Sequence, residues 1–243
     1  MLYVDITKRL SSFDLNIQFE TDQAPLGLLG ASGAGKSYTL KCIAGIEKPD
    51  KGRIILNDRT LFDSEKKINL PPQKRKVGYL FQDFALFPNM TVLQNIKAGL
   101  HREERKARDR LAPELIERFR LQGLENVRPA TLSGGEKQRV ALARIFASKP
   151  DVLLLDEPFS SLDTFLKWEL EDEIKKIFGD FSGDVVIVSH EIDEVLELCE
   201  NVVRIRGGRS EKTLSVKEFY QLIQNEHSAI RINISKEREA LFK

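Results

Sequence analysis

The residues of this 243-residue chain best placed to do chemistry are Gly30, Ala31, Ser32, Gly33, Ala34, Gly35, Lys36 and Ser37. They fit the spacing G-x-x-x-x-G-K-[ST], in which glycines let successive backbone N–H groups curl around phosphate oxygens and a helix N-terminus faces the negative charge. Lys36 is placed to reach β- and γ-phosphates as a point charge, and the Ser37 hydroxyl to enter the coordination shell of Mg²⁺. A glycine-rich turn that merely joins strand to helix is the plain alternative. The apolar run 25–29 before the turn and the helical pattern from Tyr38 after it supply the context a phosphate loop requires.

Other residues complete such a site. Asp156 and Glu157 close the apolar run Val152 to Leu155. Asp156 fits a carboxylate that holds Mg²⁺ directly or through water, and Glu157 the group that orients or deprotonates the water attacking the γ-phosphate. Gln82 follows the strand pattern Val77 to Phe81, and the carboxyl ends of parallel strands line a ligand crevice, so its amide is placed to meet Mg²⁺ or that water. His190 ends the apolar run 184–189 and reads as a γ-phosphate contact. Ser133, Gly134, Gly135 and Glu136 open a helix, with Ser133 as N-cap and Glu136 completing a capping box. The exposed N–H groups at that positive dipole end make a second phosphate-binding position. One of each per chain implies a nucleotide sandwiched between two copies.

The elements that must hold these residues follow from periodicity. Strands are expected at 2–6, 13–19 and 26–29, forming an antiparallel layer beside the nucleotide. Phe13 alternates with Leu15, Ile17 and Phe19, which reads as core packing rather than contact with a base. A short helix over 38–46 stops near Gly45 and Pro49, and 51–58 has strand and turn character. The basic, proline-broken run Lys66 to Lys76 reads as a solvated loop, and 94–123 as helices with solvated charged faces. Residues 83–92 are unusually apolar for a loop, which suggests a docking surface or a subdomain core. Ser160-Ser161-Leu162-Asp163 turns into a helix over 166–178. From Asn201 come a strand, the Gly207-Gly208 turn and a helix over 216–226; the tail 227–243 is only loosely amphipathic.

Composition bounds the function. With 41% hydrophobic residues the chain can bury the core of one α/β domain. Lys plus Arg number 38 against 37 Asp plus Glu, and a net charge of +1 gives no footprint for nucleic acid or an anionic membrane surface. Cys42 and Cys199 have no neighbours at metal-ligand spacing and read as small core residues in a reducing compartment. No apolar run approaches the roughly 18 residues that span a bilayer, so a soluble cytoplasmic protein is expected, with any membrane role supplied by a partner.

Taken in order, the loop 30–37, Gln82, the signature Leu132-Ser133-Gly134-Gly135-Glu136, the Asp156-Glu157 pair followed by Ser161-Leu162-Asp163, and His190 resemble the ATP-binding subunits of ABC transporters over nearly the whole chain. That resemblance implies an α/β fold: a P-loop NTPase core with an antiparallel β layer and an inserted α-helical subdomain. The core would take about 1–82 and 151–226, the helical subdomain with its signature about 83–150, and a tail 227–243. It further implies a head-to-tail homodimer. Lys36, Ser37, Gln82, Asp156, Glu157 and His190 of one copy would face Ser133, Gly134 and Gly135 of the other across ATP and Mg²⁺, and hydrolysis would reopen the pair.

Within the family, Phe81 to Pro88 and the helix Lys137 to Arg144 look like importers served by an external binding protein and two membrane-spanning permease subunits. Residues Lys8 to Leu15 and Ile68 to Arg75 look most like molybdate importers, with sulfate, iron and polyamine importers as near relatives. Such a subunit sits on the inner face of the cell membrane. The importer-like segment after Gln82 argues against an exporter. A single cassette with no coiled-coil insertion and no basic excess argues against a mechanical ATPase acting on nucleic acid or ribosomes.

Departures from the pattern also carry expectations. Tyr38 stands where the family usually has Thr, removing a hydroxyl contact to the α-phosphate but keeping the backbone N–H. The aromatic residue that usually stacks on adenine is not evident. Molybdate-type relatives often carry a further C-terminal oxyanion-sensing domain, and with the sequence running to Lys243 that feedback is not carried over.

Overall fold

The computed structural model describes residues 1–160 and 164–225. Strands β1 (Leu2–Arg9) and β2 (Asp14–Glu20) pair antiparallel, with Val4 opposite Phe19 and Ile6 opposite Ile17. Along β2, Leu15, Ile17 and Phe19 are buried while Asp14, Asn16, Gln18 and Glu20 are exposed, the period of two that a half-buried sheet imposes. Strand β3 (Leu26–Leu29) is buried throughout and delivers the chain into the glycine-rich loop. Helix α1 (Lys36–Ala44) follows and stops at Gly45, whose φ of +80° forms a left-handed C-cap. Strands β4 (Lys51–Leu56), β5 (Arg59–Asp63) and β6 (Ile68–Asn69) extend the antiparallel side, and a single turn, α2 (Pro72–Arg75), leads into β7 (Val77–Leu80).

Here the expected solvated loop over 66–76 is corrected. It contains β6 and α2, and Arg75 is fully buried. A charged run predicts solvation only where no buried acceptors await it. Carbonyls at the end of α1 do await Arg75, which donates from Nη1 to the Cys42 and Ile43 oxygens, both at 2.8 Å, and from Nε to the Leu70 oxygen at 2.7 Å. Burial lowers the guanidinium pKa to about 10.

Helices α3 (Val92–Gly99), α4 (Arg105–Arg118) and α5 (Gly134–Ala147) lie in sequence between β7 and β8 (Val152–Asp156). Then come α6 (Thr164–Gly179), β9 (Asp184–Ser189), α7 (Ile192–Leu198), β10 (Asn201–Arg206), the two-residue strands β11 (Arg209–Ser210) and β12 (Leu214–Ser215), and α8 (216–225). The sheet runs β6-β5-β4-β1-β2-β11-β10-β3-β9-β8-β7, with β12 on β10. Strands β10, β3, β9, β8 and β7 are parallel neighbours, while β6 to β2 pair antiparallel.

Alternation on the doubly buried strands divides the core. Val152 and Leu154 of β8 join a cluster with α1 and the antiparallel strands; Leu153 and Leu155 join another with α3, α4 and α5. One strand thus contributes to both clusters, because its successive side chains point to opposite faces. Parallel register also brings strand ends together: Leu29 pairs with Ser189, Asp156 with Val188, and Leu80 with Leu155. Gly30, Gln82, Glu157 and His190 therefore follow neighbouring strands at one edge of the sheet. Among the described residues no helix is long and apolar enough to cross a membrane. The expected Ser161-Leu162-Asp163 turn and the tail 227–243 lie outside the described residues.

Candidate functional site

The loop between β3 and α1 is shaped by its glycines. A Cβ on Gly30 would sit 2.4 Å from the Ile205 carbonyl oxygen, and Gly35 takes φ +100° while packing against Leu15 and Phe13. Only glycine fits both demands. Gly35 is the N-cap of α1 and offers no side-chain cap, so the first N–H groups of the helix stay available to an anion. Phe13 packs partly buried on the core, as its alternation predicts, with its ring edge next to Gly35.

Lys36 is buried and donates from Nζ to the Gly30 oxygen at 2.7 Å and the Ala31 oxygen at 3.0 Å. Its ammonium thus lies over the loop's own carbonyls. Burial lowers its pKa below the ordinary 10.5, with Glu157 and Asp156 opposing that shift. The Tyr38 hydroxyl donates to Glu47 Oε2 at 2.9 Å, so the ring's polar end serves α1 and Glu47. Burial and then Glu47 raise that phenol to about 12.

Asp156 is where several elements meet. Its Oδ1 accepts from the Ser37 hydroxyl at 2.7 Å and its Oδ2 from the Tyr79 hydroxyl at 2.8 Å. Ser37 opens α1, Asp156 ends β8 and Tyr79 lies on β7, so the carboxylate is gripped from both sides. A Ser hydroxyl beside a carboxylate is a hard-oxygen pair that suits Mg²⁺ when substrate phosphates complete its shell. Tyr79 was not anticipated. The available signal was a tyrosine in an otherwise aliphatic strand, since a buried phenol needs an acceptor; burial and Asp156 hold it protonated.

Glu157 leaves the sheet with φ +48°, and its N–H donates to the Val188 oxygen at 3.0 Å. For a non-glycine residue this left-handed backbone costs about 1 kcal/mol, and it turns the side chain away from that of Asp156. Glu157 Oε1 lies 3.4 Å from His190 Nδ1. A cavity of about 440 Å³ adjoins His190 and the loop at Gly30, Ala31 and Ala34. Gln82 donates from Nε2 to Ser160 Oγ at 3.2 Å, and Ser160 Oγ donates to the Glu157 carbonyl at 3.0 Å. Ser160, expected only as part of the turn before α6, joins the Gln82 turn to the Glu157 backbone.

Ser133 and Glu136 form the expected capping box on α5: Ser133 N–H donates to Glu136 Oε2 at 2.7 Å, and Glu136 N–H to Ser133 Oγ at 3.3 Å. These bonds stay within their own turn, with Gly134 partly exposed and Gly135 buried beside them. The 83–92 segment is split between core and surface. Phe84 is buried in the helical cluster, while Phe87 and Met90 are exposed. Asn95 fastens the segment, accepting from the Phe87 N–H and donating to the Phe87, Met90 and Thr91 oxygens. Arg144 bonds the Phe84 oxygen and lies 5.0 Å from the centre of the Phe87 ring.

The ABC transporter family model matches residues 13–160, and the chain belongs to that family. It is 41% identical over 209 residues to the molybdenum import ATP-binding protein ModC of Rhodospirillum rubrum, covering 86% of this chain and 56% of that protein. The chain thus spans little more than half the length of that relative. It is also 41% identical over 219 residues to the molybdate/tungstate import ATP-binding protein WtpC of Archaeoglobus fulgidus, covering 90% of this chain and 89% of that one. Among solved structures, the post-hydrolysis dimer of an ATP-binding cassette with ADP and Pi superposes with a TM-score of 0.73 at 26% identity, covering 89% of this chain and 99% of that chain.

Proposed function

We propose that the chain is the ATP-hydrolysing subunit of an importer for molybdate or a closely similar oxyanion, working as a head-to-tail pair on the inner face of the membrane. The observation that carries the hydrolytic part is the arrangement at the strand ends: Asp156 gripped by Ser37 and Tyr79, and Glu157 turned apart toward His190. Its substrate assignment is supported by the relatives' printed names alone, because the oxyanion would bind elsewhere.

In this reading the loop's N–H groups and Lys36 hold the phosphates, with Lys36 exchanging its bonds to Gly30 and Ala31 for phosphate oxygens. Ser37 and Asp156 would hold Mg²⁺, which neutralises charge on the phosphates when bound. Gln82 borders the same ground and is the further candidate for the metal shell or for positioning water. Glu157 orients and deprotonates the attacking water, and His190 contacts the γ-phosphate and steadies Glu157. Ser133, Gly134 and Gly135 of a second copy would close over the nucleotide with the positive end of α5. The division into a core of about 1–82 and 151–226 and a helical part of about 83–150 is part of the proposal, the helical part carrying both the signature and the exposed Phe87 and Met90. Those two residues would meet one of two permease subunits, which an external binding protein serves.

The test is capture from membranes with Glu157→Gln protein, Mg²⁺ and ATP. A multi-span membrane protein recovered with an oxyanion-binding protein is the expected result. Ribosomes or nucleic acid with no membrane protein would overturn the transport reading.

A further inference from the structure

Between α6 and the segment after His190 lies a second cavity, of about 680 Å³. Its wall carries Glu171, Asp172, Glu191, Asp193 and Glu197, with Lys167 the single cationic residue among the described lining residues. That lysine is already committed, to Glu191 and, at 2.7 Å, to Glu194. Glu197 pairs with Lys175. Glu171, Asp172 and Asp193 have no ion pair or side-chain hydrogen bond among the described residues.

Glu171 says most about what the cavity takes. It is 8% exposed, yet it lines the cavity with an unpartnered carboxylate. Burial raises its pKa, Lys167 and Lys175 oppose, and Glu194 and Glu197 add to the rise; both lysines are paired to other carboxylates, so Glu171 keeps its oxygens for a donor in the cavity. On the same wall stands Trp168, 64% exposed and the chain's single tryptophan. An indole face attracts cations. Among the described residues no three His, Cys, Asp or Glu side chains converge as a metal would require, so the carboxylates surround a space rather than a point. A planar, weakly hydrated cation suits that space, since guanidinium stacks on aromatic faces and offers paired N–H donors to carboxylates.

We propose that this cavity binds a guanidinium group, stacked on Trp168 and hydrogen-bonded to Glu171, carried either by a free small molecule or by an arginine of a partner chain. An occupant would touch Ser160, which bonds the Glu157 carbonyl, and Glu191, which adjoins His190. The inference goes beyond the transport reading and stands without it, because binding is measured with no nucleotide present.

The test is titration of the whole chain followed by Trp168 fluorescence, which reports this cavity alone. Butylguanidinium represents the free source and an acetylated Gly-Arg-Gly amide the peptide source, with butylammonium at equal ionic strength as the control. Expected are a saturable shift with a guanidinium probe and about tenfold weaker binding by butylammonium and by the Glu171→Gln protein. Tighter binding of the tripeptide assigns the site to a partner's arginine; equal or tighter binding of butylguanidinium assigns it to a small molecule. No shift with either probe, an equal shift with butylammonium, or unchanged binding by a folded Glu171→Gln protein would overturn the proposal. Should that variant fail to fold, Trp168→Leu measured by calorimetry takes its place, with the same tenfold loss expected and unchanged affinity counting against the site.

Discussion

Glu157 Oε1 and His190 Nδ1 lie 3.4 Å apart, each just beyond the end of a neighbouring parallel strand. Because β8 and β9 are locked in register, the separation is set by the sheet rather than by loops. Glu157→Gln keeps the shape but removes the base. Nucleotide binding should persist while single-turnover hydrolysis falls by about 10²- to 10⁴-fold. An unchanged rate would remove Glu157 from the chemistry.

Tyr79→Phe tests the grip on Asp156. A hydrogen bond to a charged group contributes roughly 1.5–3 kcal/mol, and its loss frees one carboxylate oxygen while Ser37 still holds the other. The Mg²⁺ concentration for half-maximal ATPase activity should rise several-fold with little change in nucleotide affinity. A Mg²⁺ titration of the ATPase rate reads this directly, and superimposable curves would make Tyr79 a packing residue only.

Arg75→Ala should be among the most damaging single changes in the chain. It strips donors from the Cys42, Ile43 and Leu70 carbonyls in a dry pocket, and each unmet buried acceptor costs about 1–3 kcal/mol. A loss of roughly 3 kcal/mol or more is expected in denaturant unfolding. Arg75→Lys keeps the charge without the fork and should fall between.

Asp63 gives a pH dependence. The Lys66 backbone N–H holds its carboxyl below the ordinary 3.8, burial opposes, and Arg53 adds to the lowering. Because the folded value is depressed, its contribution is complete above about 3.9, the unfolded value, and is lost as pH falls through the folded one. In unfolding measured across the acid range, Asp63→Asn should remove part of the slope below that point and leave the slope of stability with pH in the neutral range unchanged.

Cys42 and Cys199 are free and buried, and burial raises both thiols to about 12. At pH 8 neither should react with an aromatic disulfide reagent until the chain is unfolded. Fast labelling of the native protein would contradict their placement in the core.

What could be read in advance followed physical rule. Period-two alternation located β2, glycine spacing located the phosphate loop, and Ser133 with Glu136 announced the start of α5, because each is a local relation among near neighbours. The contacts of Tyr79, Ser160 and Arg75 were missed for a common reason: their partners Asp156, Gln82 and Cys42 lie 77, 78 and 33 residues away along the chain. Arg75 was misjudged outright, since a basic run carries no sign of the carbonyls that will bury one member of it. The helix before the Asp184 strand begins at Thr164, two residues ahead of the expected 166, while Ser161-Leu162-Asp163 lies outside the described residues.

The Ser160 hydroxyl, accepting from Gln82 and donating to Glu157, has both its hydrogen-bonding faculties engaged. Such a group is a two-way relay. A displacement of Gln82 changes what the Ser160 hydroxyl can offer the Glu157 carbonyl, and a displacement of Glu157 changes what it can offer Gln82. One hydroxyl thus makes the turn after β7 and the turn after β8 a single hydrogen-bonded unit.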